Sequence, residues 1–187
     1  MTDYDWDDNE FPLAYLITIR TYGTWFHGDP RGSVDRHGKN VYGTPRIAPN
    51  EKLLRLMREE MKGPPFILNP AQRIAVDREI KDVCARREYI LRALNVRTNH
   101  LHAVVTAWFK PELIINAFKS NATRALREQQ LVDPGVQIWS RGKSRRYLWK
   151  PRSVALAIDY TLNQQGDNLI DFETWLELNG ESLDDSD

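Results

Sequence analysis

The feature that most limits what this 187-residue chain can become is a pair of apolar runs that almost touch: YILRALNVR at 89–97 and HLHAVVTAW at 100–108, with only Thr98 and Asn99 between them. Both runs are rich in strand-forming residues. Two residues are enough for a tight reversal and too few for a crossover, so the runs pair as an antiparallel hairpin. Helical patterns stand on either side. Upstream, Asn69 and Pro70 supply a cap followed by proline at the first helical position, with Val76, Ile80, Val83 and Cys84 as a stripe reaching about Arg87. Downstream, Lys110 and Pro111 open a second helix with Ile114, Ala117, Phe118, Ala122 and Ala125 on one side.

An earlier strand is expected at LAYLITIRT, 13–21, and VQIWSRGKSRRYLW, 136–149, reads as a strand or hairpin after the Asp133-Pro134-Gly135 turn. The order is therefore β-α-β-β-α-β. That is the split βαβ pattern of a ferredoxin-like α+β sandwich, an antiparallel sheet with helices on one face. One more helix is expected after it, capped by Ser153 and running to about Gln164, where Gly166 ends it. Residues 22–68 exceed what the pattern needs and read as an inserted loop region, with a short helix at 50–61 behind Asn50.

Charge divides the chain differently. Formal net charge is zero, with 26 bases against 26 acids, which at face value disfavours a polyanionic partner. Residues 1–10 hold five acids and 167–187 hold eight, with no Lys or Arg in either. The 11–166 body thus keeps all 26 bases against 13 acids, a net of +13. The expected organisation is an acidic extension (1–10), one catalytic domain (11–166) and an acidic tail (167–187). A body so basic suits nucleic acid. The single cysteine, Cys84, excludes an intramolecular disulfide and lies on an apolar stripe, as inert core would. No run approaches the roughly 20 apolar residues of a membrane span. The acidic start lacks a signal peptide's basic and apolar regions, so a cytoplasmic protein without a membrane partner is expected.

His100 and His102 are two apart in a strand, so both imidazoles project from one face and can converge on one ion. Taken alone, such a pair is more often a polar strand end. The last helix offers a partner: Tyr160 and Gln164 are four apart and share a face, with Val154, Ile158 and Leu162 on the other side, available to pack on the sheet. A glutamine oxygen completes a His-His-O donor set with open positions. Such mixed ligation suits Mg or Mn less tightly than Zn, which leaves the divalent metal open between them. Tyr160 then stands one turn from a ligand, as a nucleophile beside a metal should. Taken alone, it reads first as a half-buried core tyrosine.

Together these residues resemble a known family. Asn99-His100-Leu101-His102 looks like the His-hydrophobe-His motif of the HUH single-tyrosine transposases, and Tyr160 and Gln164 fall where that family carries its tyrosine and third ligand. Segments like YGTWFHGDPRGSVDR, ALNVRTNHLH and RYLW…AIDYTLNQQG resemble the branch of REP-associated tyrosine transposases and related bacterial transposase-like proteins, over roughly residues 11–166. The acidic ends and the long 22–68 segment depart from its most compact members.

The resemblance implies a metal-dependent endonuclease and strand transferase acting on single-stranded DNA beside hairpins, as a monomer or homodimer. His100, His102 and Gln164 would hold Mg or Mn, and Tyr160 would form a 5′-phosphotyrosine link. A phenol with a reference pKa of about 10 needs positive charge nearby. Arg141, Lys143, Arg145, Arg146, Lys150 and Arg152 could supply it and track phosphates, with Trp139, Tyr147 and Trp149 as rings for stacked bases. Arg31, Arg36 and Lys39 extend the DNA contact into the insert. The competing reading is a non-catalytic nucleic-acid-binding module on the same fold, which needs none of the four site residues. A phosphoesterase built on paired His-x-Thr/Ser motifs lacks those motifs.

Overall fold

The hairpin forms one side of the sheet. In the computed structural model, which describes residues 11–30, 48–142 and 144–163, strands β1 (Ala14–Arg20), β2 (Ile90–Val96), β3 (His100–Thr106) and β4 (Ser144–Leu148) form one sheet in the order β2-β3-β1-β4. Every neighbouring pair is antiparallel. The helices are α1 (Glu51–Glu59), α2 (Pro70–Arg86), α3 (Pro111–Glu128) and α4 (Pro151–Asn163). The expected α+β sandwich is present. Both acidic ends, residues 31–47, Lys143 and everything from Gln164 onward lie outside the described residues.

Local chemistry explains the boundaries. The Thr98-Asn99 turn is closed by Arg97 N–H donating to His100 O at 2.8 Å. Helix α2 starts on a full capping box: Asn69 Oδ1 accepts from Gln72 N–H and Gln72 Oε1 from Asn69 N–H, both at 2.9 Å. Helix α1 begins where Asn50 Oδ1 accepts from Leu53 N–H at 3.0 Å. Before it, Gly28 has φ +85°, and a Cβ there would stand 2.5 Å from Asn50 O, so only glycine fits this close approach. The chain then returns along β1 and the hairpin turn, with Phe66 N–H donating to Tyr22 O at 2.8 Å and Leu68 N–H to Thr98 O at 2.7 Å.

Strand alternation gives the sheet two unlike faces. Tyr15, Ile17, Ile19, Leu101, Ala103 and Val105 point toward α2 and α3 and form the larger core with Val76, Ile80, Ile114 and Phe118. Ala14, Leu16, Val104 and Leu148 point the other way, under α4. A bulge in β2 keeps both faces consistent: Leu91 pairs with Val105 and Ala93 with Val104, leaving Arg92 as the extra residue. It lets Leu91 join the α2/α3 side while Ala93 lies under α4.

Three expectations change. Only 144–148 of the 136–149 segment is a strand; ahead of it Trp139 makes one isolated bridge with Thr21, and Gly142 interrupts. Ser153 lies inside the first turn of α4 rather than capping it, because Pro151 already takes the first helical position. Finally, α4 turns Val154, Ala157, Tyr160 and Thr161 to the sheet, while Leu162 is 52% exposed. The small Ala157 allows that close approach, so Tyr160 lies under the helix with the apolar residues instead of opposite them.

Candidate active site

The site forms where the α4 face of the sheet turns from apolar to polar. Ala14, Leu16 and Val104 fill one end; continuing the same alternation, Thr18 and Arg20 on β1 and His100 and His102 on β3 occupy the other. Thr18 is the register partner of His102, and Arg20 of His100. Beyond the bulge, Asn95 comes opposite His102.

The side chains converge. The His100 and His102 rings are 4.8 Å apart between centroids, and His102 meets the Tyr160 ring edge-on at 5.2 Å. His102 Nδ1 is hydrogen-bonded to Thr18 Oγ1 at 2.9 Å, and His100 Nδ1 to Asn99 Oδ1 at 2.6 Å. Asn95 Nδ2 donates to Thr161 O at 2.9 Å, tying the end of α4 to β2. The Arg20 guanidinium lies 3.8 Å over the Trp25 ring. Both histidines are buried, and Tyr160 is 2% exposed.

The electrostatics follow from this crowding. Burial first, then the charges of His100, Arg20 and Arg97, hold His102 well below the ordinary imidazole pKa. It is therefore neutral at neutral pH and keeps a nitrogen lone pair for a ligand. Two arginines and two imidazoles at the end of a sheet also favour an anion.

The donor set fits a divalent metal as far as it is described. His100 and His102 supply two imidazoles from one face, and neutral His102 needs no proton removed before ligation. Among the described residues no three His, Cys, Asp or Glu side chains gather as a metal site. Gln164 lies outside the described residues, and so do Lys143, Arg31, Arg36 and Lys39.

The run of bases expected to act as one surface is split by strand alternation. Arg146 pairs with Leu16 and shares the histidine face. Arg145 pairs with Ile17 on the opposite face, where its Nε lies 2.7 Å from Glu112 Oε1 in an ion pair, so it does not join Arg146 at the histidines. Tyr147 is on that side too, edge-on to Tyr15 at 5.3 Å and stacked with Trp149 at 6.3 Å. Arg141, Lys150 and Arg152 are exposed at the ends of the segment. Trp139 is a correction: it is a buried core residue, with Nε1–H donating to Thr123 Oγ1 at 3.0 Å, and presents no face to a base. Cys84 is also core, its thiol pushed up to about 11 by burial.

Thr18, Arg20, Asn95 and Arg97 were not picked out in the sequence, because only the pairing register brings them to the histidines. Asn99 was visible as the residue before His100, without a role.

No family model and no curated protein matches the chain. Among solved structures, it is similar to a REP-associated tyrosine transposase bound to a REP hairpin, at 11% identity and a TM-score of 0.46, covering 86% of this chain and 70% of that one. It is also similar to a provisionally identified transposase from Deinococcus radiodurans, at 15% identity and a TM-score of 0.41, covering 89% of this chain and 99% of that one. Likenesses this remote leave the chemistry to be argued from this chain's own residues.

Proposed function

We propose that the chain is a metal-dependent single-stranded DNA endonuclease and strand transferase, of the transposase kind, that cleaves near hairpins through a 5′-phosphotyrosine intermediate. The observation that carries this reading is the convergence of His100, His102 and Tyr160, with two ring contacts of 4.8 and 5.2 Å, on a face that also bears Arg20. A structural tyrosine would need no histidine pair beside it.

His100, His102 and Gln164 would hold the cation. When bound, Mg or Mn supplies polarisation of the scissile phosphate and neutralisation of charge developing on it. Tyr160 Oη gives its proton to solvent and attacks phosphorus; the bond to the 3′ oxygen breaks, and that oxygen leaves as a hydroxyl after taking up a proton. The 5′ phosphate stays on the tyrosine, and attack by a 3′-hydroxyl reverses the step and joins strands. Arg20, Arg97 and Arg146 favour the phosphate and the ionised phenol by charge. Exposed Arg141, Lys150 and Arg152, with the Tyr147-Trp149 stack, serve the flanking strand.

A second reading, a nucleic-acid-binding module without catalysis, is favoured by one fact: at 2% exposure Tyr160 is buried like a packing residue. One experiment separates the two. Labelled, hairpin-flanked single strands incubated with the protein and Mn²⁺ should yield a covalent adduct that Tyr160→Phe abolishes. An adduct that persists in the variant removes Tyr160 as nucleophile, and no adduct with the wild type leaves the binding module.

A further inference from the structure

Both histidines meet their first partner through the same atom. His100 Nδ1 lies 2.6 Å from Asn99 Oδ1, and His102 Nδ1 lies 2.9 Å from Thr18 Oγ1. We propose that Asn99 is a positioning residue that fixes His100 in the Nδ1–H tautomer, while Thr18 holds His102 by the matching nitrogen, so that both rings offer Nε2 to the site. The proposal rests on the metal-site reading above, but its first readout does not.

The chemistry is asymmetric in a useful way. A carboxamide oxygen only accepts, so the shared proton belongs to His100 Nδ1, and the lone pair of the neutral ring is then on Nε2. A hydroxyl both donates and accepts, so Thr18 fixes the orientation of His102 without dictating its tautomer. Asn99 therefore carries the stronger constraint.

Asn99 is built to hold still. Its carbonyl accepts from Thr21 N–H at 2.9 Å, from Thr21 Oγ1 at 3.0 Å and from Thr24 Oγ1 at 3.3 Å. Thr21 is fully buried, and the preceding carbonyl, Thr98 O, accepts from Leu68 N–H at 2.7 Å. Strand alternation would send the residue before His100 to the opposite face. Asn99 escapes it by sitting in the turn, where its side chain folds back on the ring that follows. Partners of this kind set the tautomer and orientation of ligand imidazoles, and losing one costs about 10–100-fold in metal affinity.

The test uses the metal-free full chain with ¹⁵N-labelled histidine, read by long-range ¹H–¹⁵N correlation above the imidazole pKa. His100 is expected in the Nδ1–H form, and Asn99→Ala should shift it toward Nε2–H while Mn²⁺ affinity falls about 10–100-fold. Asn99→Asp, whose carboxylate also only accepts, should keep Nδ1–H and recover most of the affinity; Thr18→Val should move the His102 signals and leave those of His100. Wild-type His100 protonated on Nε2 overturns the proposal, and so does an Asn99→Ala protein with unchanged tautomer and affinity. If Asn99→Ala does not fold, the wild-type spectrum and Asn99→Asp still decide. Expected tautomers with no DNA adduct would uphold Asn99 and defeat the nuclease reading alone.

Discussion

The two faces of the sheet bury similar strands in unlike surroundings, and two buried tyrosines show how. Tyr15 on the α2/α3 side stands among Ile17, Ile19 and the helix pair, and burial with Tyr147 and Glu112 pushes its phenol up to about 12. Tyr160 on the other side meets His102, on the face that carries Arg20. The first environment disfavours the phenolate by burial and by the nearby Tyr147 and Glu112; the second packs a phenol in one cluster with Ala14, Leu16 and Val104 and against the His102 ring. The α2/α3 face is lined by apolar side chains along β1 and β3, whereas the α4 face gives up part of its packing to His100 and His102.

The comparison breaks most visibly through stability. Phe118, 1% exposed in the larger core, should cost about 3–5 kcal/mol on change to alanine, whereas Tyr160→Phe should stay within about 1 kcal/mol. Urea denaturation of both variants checks this, and equal losses would mean that α4 and its face are as structural as the other.

Acid is the next probe. The folded-state pKa of His102 lies below its unfolded value of about 6.5, so below that pH the unfolded chain binds a proton that the folded one refuses. Stability should therefore be complete above about pH 6.5 and fall as pH drops, by up to about 1.4 kcal/mol per unit for this group. His102→Gln should flatten that limb in denaturation curves taken between pH 7.5 and 5.5. A limb unchanged in the variant would assign the acid sensitivity elsewhere.

The smallest effect should come from the arginines. Arg97→Ala should weaken single-strand binding and reduce its salt dependence by about one ion, while Arg145→Ala, paired with Glu112 on the far face, should change neither. Titrations at several salt concentrations read both. Equal effects would mean that DNA wraps the β4 edge and touches both faces.

Much of the frame was legible because it rests on local signals: the two-residue turn, the Asn69 and Asn50 caps and the alternation that sets His100 beside His102. What was hidden depends on partners far along the chain. The arc of α4 that meets the sheet cannot be chosen from its own stripe, since 154-158-162 and 154-157-161 are both acceptable helical faces. The small Ala157 and Thr161 decide it by allowing close approach. The basic run looked like one surface because charge was counted along the sequence, whereas a strand deals alternate residues to opposite sides. Arg20 and Asn95 needed the register itself.

The bulge at Arg92 makes the two halves of β2 unequal in their tolerance of lost or gained residues. Leu91 and Asn95 are four apart yet serve opposite faces, which uninterrupted alternation forbids; one surplus residue reconciles them. A chain lacking Arg92 would keep every pairing on both sides of the gap. Loss of Leu94 would also close the ladder, but it would draw Arg92 into the buried place of Ala93 beneath α4. The segment from Ala93 to the turn therefore has a fixed length, and drift in strand length is absorbed only upstream.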